Sequence, residues 1–391
     1  MKNLFCLLVI LFAGLTSLTS CGDGRDLGDG GVQAYDFKDL IKSVEAIGVT
    51  VPLGISFNEN RHEVNLHFKG QVDLSNLRLR FTLAEGVTLA DANSTEANFN
   101  LADKEAIVRL QTSSCIVKYK LKATARTTEE VDPITLGWSK VTDKGELPSH
   151  IQVYKSPLAF HGQNNVNAYI AIADLNGNGS FEVLGNDVGK KTPQEFYQAQ
   201  EEGKKPSILI NAGFFDKDKS VSMIVRNGRL VDNNTTVKDE CYITRSAIGR
   251  SYDGEFNIQW VYAIGTDIYA YPLPAMDVNS KPTNREPTDT YPAGGFKWNP
   301  TTAIGGSPIL LKDGEYKNYW EVEAIGGIGP QDNNYRARTA IGITSNQNLI
   351  LFVCQETSAS ANDGLNLKTV ANILKELGCA DAMNLDGGGS T

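Results

Sequence analysis

The sequence predicts an α+β protein in which an all-β domain precedes a domain of mixed helices and strands. Between residues 35 and 130, apolar and polar residues alternate in short segments such as Leu77–Leu83, which is typical of strands with one face in solvent. Beyond residue 149, strand patterns such as Ala168–Ala173 are mixed with helical ones. We therefore expect a β-sandwich of immunoglobulin-like size over 35–130 and a mixed α+β domain over 149–391.

The N-terminus has the features of a bacterial lipoprotein. Residues 1–20 carry Lys2 ahead of an apolar stretch that is too short to cross a membrane, as a signal peptide does. Leu18–Cys21 resembles a lipobox, which predicts lipidation of Cys21 and a membrane anchor. The alternative is an ordinary signal peptide followed by a chance cysteine.

Residues 21–34 are rich in glycine and aspartate and are expected to form a flexible, mildly acidic tether. Acidic residues directly after the lipidated cysteine resemble the export signals of Bacteroidetes surface lipoproteins. We therefore expect the protein in the bacterial cell envelope, as an outer-membrane lipoprotein exposed at the cell surface.

Local signals predict a linker and two helices. Residues 131–148 are polar and are expected to form the linker between the domains. Thr192 is followed by a proline at the first helical position and by Glu195 three residues later, which predicts a helix with a capping box. Leu367–Leu377 places apolar residues on one helical face, and Gly378 ends that helix.

Charge and cysteine content exclude several classes of protein. The formal charge is −9, from 37 basic and 46 acidic residues, without a Lys/Arg cluster, so we expect no nucleic-acid partner. Of six cysteines, Cys6 lies in the signal peptide and Cys21 at the lipidation site. The other four match neither a zinc site nor a dense disulfide framework. Cys354 and Cys379 flank one helix, and both a bridge between them and two buried free thiols are compatible with the sequence.

One segment raises the question of a metal ion. Asp174–Glu182 places oxygen ligands at alternate positions with a glycine at the turn, as calcium loops do. Its twelfth position is Gly185 instead of a glutamate, and an Asn-Gly hairpin turn explains the same residues. We favour the hairpin, so the sequence requires no cofactor, and calcium is the alternative.

Four motifs occur in order in the second domain. Asn384–Thr391 reads NLDGGGST, and its three glycines allow N–H groups to face an anion; a plain flexible turn is the alternative. Asn211–Phe215 follows an apolar run, Gly305–Pro308 precedes another, and Arg338–Gly342 opens a strand. Together these motifs resemble the phosphodiester glycosidase family over about residues 145–391.

The chain departs from the family pattern in two places. Family members usually continue past the glycine loop with a further strand or two, so the domain over 149–391 is expected to be truncated at its C-terminus. They also often carry an acidic-Gly-Arg turn after the strand that ends here at Val353. This chain has Cys354-Gln355-Glu356-Thr357 at that point.

The resemblance implies a hydrolase that releases a sugar, N-acetylglucosamine by analogy, from a phosphorylated glycan or a nucleotide-sugar-like substrate. The candidate catalytic residues are Asp386, Arg338 and Asn384. The candidate substrate-binding residues are Asn211, Gly213, Ser307, Thr339, Gly387, Gly388, Gly389 and Ser390.

The chemistry of these side chains fits that assignment. The planar guanidinium of Arg338 suits a phosphate, the amides of Asn211 and Asn384 suit sugar hydroxyls, and Asp386 serves as a nucleophile, a base or a calcium ligand. Ordinary glycosidases need a second carboxylate to protonate a poor leaving group, whereas a phosphate monoester leaves without a proton. The alternative for Arg338 is a structural ion pair with Asp386.

Other functions stay open at the level of sequence. A glycan-binding surface lipoprotein without turnover and a phosphodiesterase that attacks phosphorus would use the same residue types. The sequence lacks the motifs of zinc proteases, serine hydrolases, P-loop proteins and Rossmann proteins. The aromatic residues of loop 271–302 either stack on a sugar ring or pack within the loop; they are Tyr271, Tyr291, Phe296 and Trp298.

Overall fold

The computed structural model describes residues 40–391 with internal gaps. The gaps are residues 52, 59–61, 69–70, 93, 103–104, 126–129, 144, 176–178, 186–190, 218, 234–235, 239–240, 253, 318, 324–333 and 357–363. The predicted signal peptide, the tether and the lipidation site at Cys21 lie outside the described residues. Within the described part, no helix combines the length and the apolar character needed to span a bilayer.

Strands dominate the described residues. In chain order they are β1 Ile41–Ala46, β2 Leu53–Asn58, β3 Glu63–Phe68, β4 Leu77–Leu83, β5 Thr88–Leu89, β6 Glu96–Phe99, β7 Ala106–Gln111, β8 Ile116–Ala125, β9 Ser139–Lys140, β10 Ile151–Lys155, β11 Ala168–Ala173, β12 Phe215–Asp216, β13 Lys219–Ser220, β14 Ile224–Arg226, β15 Arg229–Asp232, β16 Thr236–Lys238, β17 Cys241–Ile243, β18 Arg245–Arg250, β19 Phe256–Ile264, β20 Asp267–Tyr271, β21 Phe296–Lys297, β22 Thr302–Gly305, β23 Ile309–Lys312, β24 Glu315–Tyr316, β25 Arg338–Thr344, β26 Leu349–Cys354 and β27 Cys379–Asn384. The helices are α1 Pro193–Gln198, α2 Trp320–Glu323 and α3 Leu367–Glu376.

The chain divides into two compact units, with the division directly after Ala125. The first unit holds a three-stranded sheet in the order β1-β4-β6 and a five-stranded sheet in the order β2-β3-β8-β7-β5. Residues of both sheets share one hydrophobic core, which includes Leu79 and Phe81 of one sheet and Leu66 and Leu121 of the other. The unit is therefore a two-sheet sandwich, and its immunoglobulin-like topology and the boundaries 35–130 stay predictions.

The alternation seen in the sequence of the first unit has a direct structural cause. Along β4, Leu77, Leu79 and Phe81 are buried while Arg78 and Arg80 face solvent, because successive side chains of a strand point to opposite faces. Both arginines form ion pairs with Glu96 on the exposed face. The predicted strand over Leu77–Leu83 is confirmed.

The second unit contains two large antiparallel sheets. One has eight strands in the order β24-β23-β27-β25-β26-β11-β10-β9, and the other has seven in the order β15-β14-β22-β18-β19-β20-β21. Two separate hairpins are formed by β12 with β13 and by β16 with β17. The strand predicted over Ala168–Ala173 is β11 of the larger sheet.

The eight-stranded sheet is buried on both faces. One face packs against α3 in a core that includes Ile350, Phe352, Val370 and Leu374. The other face packs against the seven-stranded sheet in a core that includes Ile341, Ile343, Ile248 and Trp260. The unit is therefore built in layers, with α3, the larger sheet and the smaller sheet stacked in that order.

The prediction of a mixed α+β second domain is wrong, because this unit is mostly β. The α1 helix buries none of its residues and α2 spans four residues, so α3 is the described helix that forms a layer. The sequence hides the strands because they are covered on both faces. The strand β18, for example, is buried from Arg245 through Gly249, so it lacks the alternation that reveals a half-buried strand.

The local helix signals are confirmed. Thr192 accepts a hydrogen bond from Glu195 N–H, and the Glu195 carboxylate accepts one from Thr192 N–H (2.7 Å), which completes the capping box of α1. The α3 helix begins after Asn366, whose side chain accepts from Thr369 N–H (2.8 Å). Gly378 follows α3 with φ of 85°, a backbone conformation that glycine adopts at helix ends.

The four described cysteines are free, and Cys354 and Cys379 are buried. In the larger sheet β25 lies between β26 and β27. Cys354 pairs with Arg338 and Cys379 with Thr344, at opposite ends of β25. The two sulfurs are therefore separated by a strand, which rules out the bridge between them.

The calcium loop is not decided by the structure, because residues 176–178 lie outside the described residues. Leu175 and Val183, on either side of that gap, belong to the core between the two sheets of the second unit. In the part of the chain that the structure describes, no group of three or more His, Cys, Asp or Glu side chains is placed to hold a metal ion. Both the hairpin and the calcium loop stay predictions.

Candidate active site

The NLDGGGST segment leaves the larger sheet at the end of β27 and is fixed by its main chain. Three N–H groups of this segment donate to neighbouring carbonyl oxygens: Leu385 to Thr339 (2.8 Å), Asp386 to Ala212 (2.8 Å) and Gly388 to Ala337 (2.9 Å). The segment is therefore held between the start of β25 and the stretch that follows Asn211. It is a fixed element and not a freely moving turn, although it contains three consecutive glycines.

Asp386 carries the half-buried carboxyl group of this loop. Its Oδ1 accepts a hydrogen bond from Gly387 N–H (2.9 Å), and the Ser390 side chain also hydrogen-bonds to the carboxyl group. Burial raises the pKa of Asp386 above its ordinary value, while these two hydrogen bonds act in the opposite direction. An oriented and partly desolvated carboxylate has the character of a nucleophile or a base.

Asn211 and Thr339 hold the main chain at Asp386. The Asn211 side-chain amide donates to Asp386 O (2.8 Å). The Thr339 hydroxyl donates to Asn211 Oδ1 (2.6 Å), and it also lies 3.2 Å from the hydroxyl of Thr391. Thr339 is fully buried, so this chain of hydrogen bonds determines which way the Asn211 amide faces.

Asn384 and Ser307 form a buried pair below the loop. The Asn384 side-chain amide donates to Ser307 O (2.8 Å), and Ser307 N–H donates to Asn384 O (2.9 Å). The Ser307 hydroxyl donates to the main-chain oxygen of Glu323 (2.8 Å). Both side chains are almost completely buried. Their described contacts support the loop, and their predicted contact with substrate or reacting atoms stays a prediction.

Glu323 is a buried carboxylate that sequence reasoning missed. It accepts hydrogen bonds from Trp260 Nε1–H (2.7 Å), Ser246 N–H (3.2 Å) and Ile309 N–H (3.2 Å). Burial raises the pKa of Glu323 to about 7, although these donors favour its charged form. The segment WEVE alternates charged and apolar residues, which resembles a solvated helical turn. The partners of Glu323 come from distant segments, so no local signal could have identified it.

A buried cation lies in the field of this carboxylate. Arg245 is fully buried and donates to Val221 O. Burial lowers the pKa of Arg245 to about 9, and the negative charge of Glu323 acts against that shift. The pair lies at the interface of the two sheets, because Arg245 begins β18 and Glu323 binds the first residue of β23.

Arg338 faces the interior and is 3% exposed. Its guanidinium donates to Leu365 O (2.9 Å) and to Asn334 O. Burial, together with the nearby charge of Arg336, lowers the pKa of Arg338 to about 10. Among the described residues, no ion pair joins Arg338 to Asp386. The structure therefore does not support a structural ion pair between them, and the catalytic role of Arg338 stays a prediction.

Two of the predicted glycines are required by close packing. A Cβ atom at Gly213 would lie 2.7 Å from Ser222 Cβ, and one at Gly387 would lie 2.7 Å from Ala337 O. Gly388 has a φ of 59°, and a Cβ at Gly389 would meet no atom within 4 Å. The inner side of the loop thus touches the protein, while its outer side leaves space for a ligand to approach the backbone.

Loop 271–302 is mostly packed on itself. Tyr271 and Trp298 are buried, and their polar hydrogens bind Thr288 O (2.8 Å) and Asn257 Oδ1 (2.7 Å). The Tyr291 ring lies 3.8 Å from the guanidinium carbon of Arg285. Phe296 is exposed. Packing therefore accounts for three of the four aromatic residues, and Phe296 is the one that presents its ring to solvent.

A comparison with known protein families identifies this part of the chain. Residues 204–391 match the family model described as phosphodiester glycosidase. This segment is a phosphodiester glycosidase domain. The match confirms the family that the four sequence motifs predicted, and all four motifs lie inside the phosphodiester glycosidase domain. By this match the domain is that of a hydrolase.

Solved structures similar to the chain include three of interest. The auto-inhibited catalytic domain of zebrafish N-acetylglucosamine-1-phosphodiester alpha-N-acetylglucosaminidase is 19% identical, with a TM-score of 0.38 over 65% of this chain and 76% of that one. A hypothetical protein from Synechocystis is 14% identical, with a TM-score of 0.44 over 90% and 75%. A putative glycoside hydrolase from Bacteroides thetaiotaomicron is 10% identical, with a TM-score of 0.23 over 91% and 98%.

These three TM-scores are all low, so the assignment of the phosphodiester glycosidase domain rests on the family match alone. No curated protein matches the chain.

Proposed function

We propose that this protein hydrolyses a glycosyl-1-phosphodiester bond and releases the free sugar, with Asp386 as the leading carboxylate. One observation carries the proposal. Within a phosphodiester glycosidase domain, Asp386 is half-buried on a fixed glycine loop, and its carboxyl group accepts a hydrogen bond from Gly387 N–H. A carboxylate held in this way stabilises positive charge as it develops at the anomeric carbon.

The leaving group explains why a single carboxylate suffices. The bond between the anomeric carbon and the phosphate oxygen breaks, the sugar passes through an oxocarbenium-like transition state, and the phosphate monoester departs with the electron pair. Because that anion is a good leaving group, no acid has to protonate it. Water then adds to the anomeric carbon and gives up a proton, and in this proposal Asp386 either attacks first or accepts that proton.

The substrate that we propose is N-acetylglucosamine linked through phosphate to a glycan or to a nucleotide-like group. This choice rests on the family resemblance of the motifs. Gly389 is exposed, and a Cβ there would meet no atom within 4 Å, so its main-chain N–H has room to meet a phosphate. The proposed substrate contacts of Asn211, Ser307 and Ser390 belong to the same hypothesis.

The test is hydrolysis in water labelled with heavy oxygen. Residues 22–391 are incubated with UDP-N-acetylglucosamine and with a panel of sugar-1-phosphodiesters, with calcium and with a chelator. We expect the label in the free sugar, because the proposal places cleavage at the anomeric carbon. Asp386→Asn serves as the inactive control, and Asp143→Asn changes a carboxylate far away in sequence.

Two other outcomes would replace the proposal. Label in the phosphate identifies a phosphodiesterase that attacks phosphorus. Binding of the glycan without turnover, by a protein with a cooperative thermal transition, identifies a glycan-binding surface protein.

Activity that is lost with the chelator and restored by calcium would give calcium a role in the reaction.

We also propose that Cys21 is lipidated and anchors the protein to the outer membrane, facing outward. The support is the position of Cys21 at the end of the lipobox-like segment Leu18–Cys21, a few residues after an apolar stretch of signal-peptide length. Metabolic labelling with palmitate should mark the wild-type chain and not Cys21→Ser. Protease treatment of intact cells should degrade the protein, and complete protection would contradict surface exposure.

A further inference from the structure

The glycine loop is flanked by two arginines that differ in what their side chains can do. Arg338 is buried, and its guanidinium is bound to Leu365 O and Asn334 O. Arg336, two residues earlier, has a side chain that is 57% exposed. Because Arg338 could reach an outside ligand only by breaking these hydrogen bonds and leaving its buried position, the exposed arginine is the better anion contact.

The main chain of Arg336 is fixed in place. Arg336 N–H donates to Leu365 O (3.3 Å), and Leu365 N–H donates to Arg336 O (3.0 Å). The next residue, Ala337, accepts a hydrogen bond from Gly388 N–H (2.9 Å). The glycine loop is therefore hydrogen-bonded to the residue next to Arg336, so the loop and the arginine are held by the same short stretch of backbone.

Glu356 holds the head of this arginine. Its Oε1 lies 3.4 Å from Arg336 Nη1, and its Oε2 lies 3.4 Å from Ala337 N. The Glu356 side chain is 23% exposed. Both contacts are long and partly solvated, so the ion pair is weak and a phosphate oxygen can compete for the guanidinium.

We propose that Arg336 contacts the phosphate of the substrate, and that Glu356 is a positioning residue that keeps the guanidinium beside the glycine loop. This inference deepens the proposed function and rests on it for the identity of the substrate. A guanidinium offers several N–H donors in one plane. One donor faces Glu356, and the others bind two oxygens of a phosphodiester, while the main-chain N–H of the exposed Gly389 binds the same anion.

This arrangement also supports the reaction. As the bond to the anomeric carbon breaks, negative charge grows on the departing phosphate. A positive charge at Arg336 stabilises that group more in the transition state than in the ground state, which lowers the barrier. The negative charge of Asp386 acts on the sugar side. In the transition state, the positive charge of the sugar thus faces Asp386, and the negative charge of the phosphate faces Arg336.

The experiment measures binding and turnover separately. Calorimetry gives the affinity of the full chain from Gly22 onward for N-acetylglucosamine 1-phosphate, for inorganic phosphate and for N-acetylglucosamine. We expect Arg336→Gln to weaken binding of both phosphates by about tenfold to a hundredfold and to leave binding of the free sugar unchanged. Arg78→Gln is the matched control, because Arg78 is also exposed and ion-paired but lies in the first unit.

Kinetics and a double-mutant cycle test the role of Glu356. Arg336→Gln should lower kcat and also raise KM, whereas Arg336→Lys should retain part of kcat. Glu356→Gln should raise KM by about threefold to tenfold, and the double variant should be no worse than Arg336→Gln alone. A purely structural role of Glu356 would give additive losses instead. Thermal melting confirms that each variant is folded.

Each outcome separates this inference from the proposed function. If the wild-type chain binds N-acetylglucosamine 1-phosphate but hydrolyses no phosphodiester, the hydrolase proposal fails, and a loss of that binding in Arg336→Gln still supports the phosphate contact. Equal binding by the wild type and Arg336→Gln overturns the inference even if hydrolysis is found. Failure of the wild type to bind either phosphate overturns it as well.

Discussion

The side-chain amide of Asn211 donates a hydrogen bond to the main-chain oxygen of Asp386, a residue 175 positions later in the chain. Asn211 therefore acts on the carboxylate through the backbone that carries it. Thr339 orients the amide through its hydroxyl, so three segments of the second unit determine where one carboxyl group lies. Geometry at a reacting centre is sensitive to shifts of about 1 Å.

This relationship predicts the effect of removing the amide. Asn211→Ala should lower kcat by about tenfold to a hundredfold, because the Asp386 backbone loses its donor, and it should reduce the free energy of unfolding by about 1 kcal/mol. Thr339→Val should also lower kcat and the free energy of unfolding, but by smaller amounts. Steady-state kinetics and chemical denaturation give the two numbers. A large loss of stability with unchanged kcat would show that Asn211 only stabilises the fold.

Replacing the carboxylate itself should separate activity from stability. Asp386→Asn should abolish turnover while the thermal transition stays cooperative, because asparagine fits the same space and keeps an oxygen for Gly387 N–H. Since the charged form of Asp386 is disfavoured by burial, its removal should leave the Tm unchanged or raise it. Full activity in this variant would exclude Asp386 from the reaction.

The pH dependence of activity follows from the same carboxyl group. Burial raises the pKa of Asp386 above its ordinary value, so the group takes up a proton at a higher pH than an exposed aspartate does. If the ionised form reacts, kcat/KM should fall as the pH drops through that raised pKa, with a midpoint above the pKa of an ordinary exposed aspartate. A pH–rate profile measures the midpoint. A rate that holds constant well below pH 4 would contradict the role of the ionised form.

The glycine loop offers a matched pair of substitutions. A Cβ at Gly387 would lie 2.7 Å from Ala337 O, whereas a Cβ at Gly389 would meet no atom within 4 Å. Gly387→Ala should therefore displace the loop, lower the free energy of unfolding by about 1–3 kcal/mol and remove activity. Gly389→Ala should preserve the stability. Equal stabilities for the two variants would show that the loop is not held against Ala337 as described.

Glu323 predicts a dependence of stability on pH. Its pKa is raised from an ordinary value of 4.5 to about 7, so folding takes up a proton between these pH values. The resulting stabilisation is fully present below about 4.5 and is lost as the pH rises through about 7. The free energy of unfolding of the wild type, compared with that of Glu323→Gln, should fall by roughly 1.4 kcal/mol per pH unit in this range. Thermal or urea unfolding at pH 5, 6 and 7 measures the difference, and parallel curves would contradict it.

Local patterns in the sequence identified the parts of the fold that depend on local physics. The capping residues Thr192 and Glu195 and the apolar face of Leu367–Leu377 predicted two helices correctly, because capping and amphipathic periodicity act within a few residues. The motif around Asp386 and the segment at Asn211 predicted a family that the comparison confirms. These motifs are defined by glycine, amide and carboxylate residues in a fixed order along the chain, so they can be recognised without a structure.

Contacts between residues that are far apart in the sequence could not be predicted from such local patterns. Strands such as β18 and β25 are buried along almost their whole length, so they lack the alternation that would have revealed two antiparallel sheets in place of an α+β layer. The different environments of Arg338 and Arg336 depend on which side chain meets the carbonyl oxygen of Leu365. Glu323 gains its partners from β18, β19 and the start of β23, which only the folded sheets bring together.

The position of β27 in the larger sheet has a consequence for how the protein is made. This strand pairs with both β23 and β25, yet it follows both of them in the chain. During synthesis from the N-terminus, these two strands leave the ribosome with an open slot between them. Their unpaired N–H and C=O groups stay available to wrong partners until Cys379–Asn384 inserts. Completion of the sheet and arrival of the candidate catalytic loop are therefore the same event, so a chain that has not finished folding cannot have assembled its site.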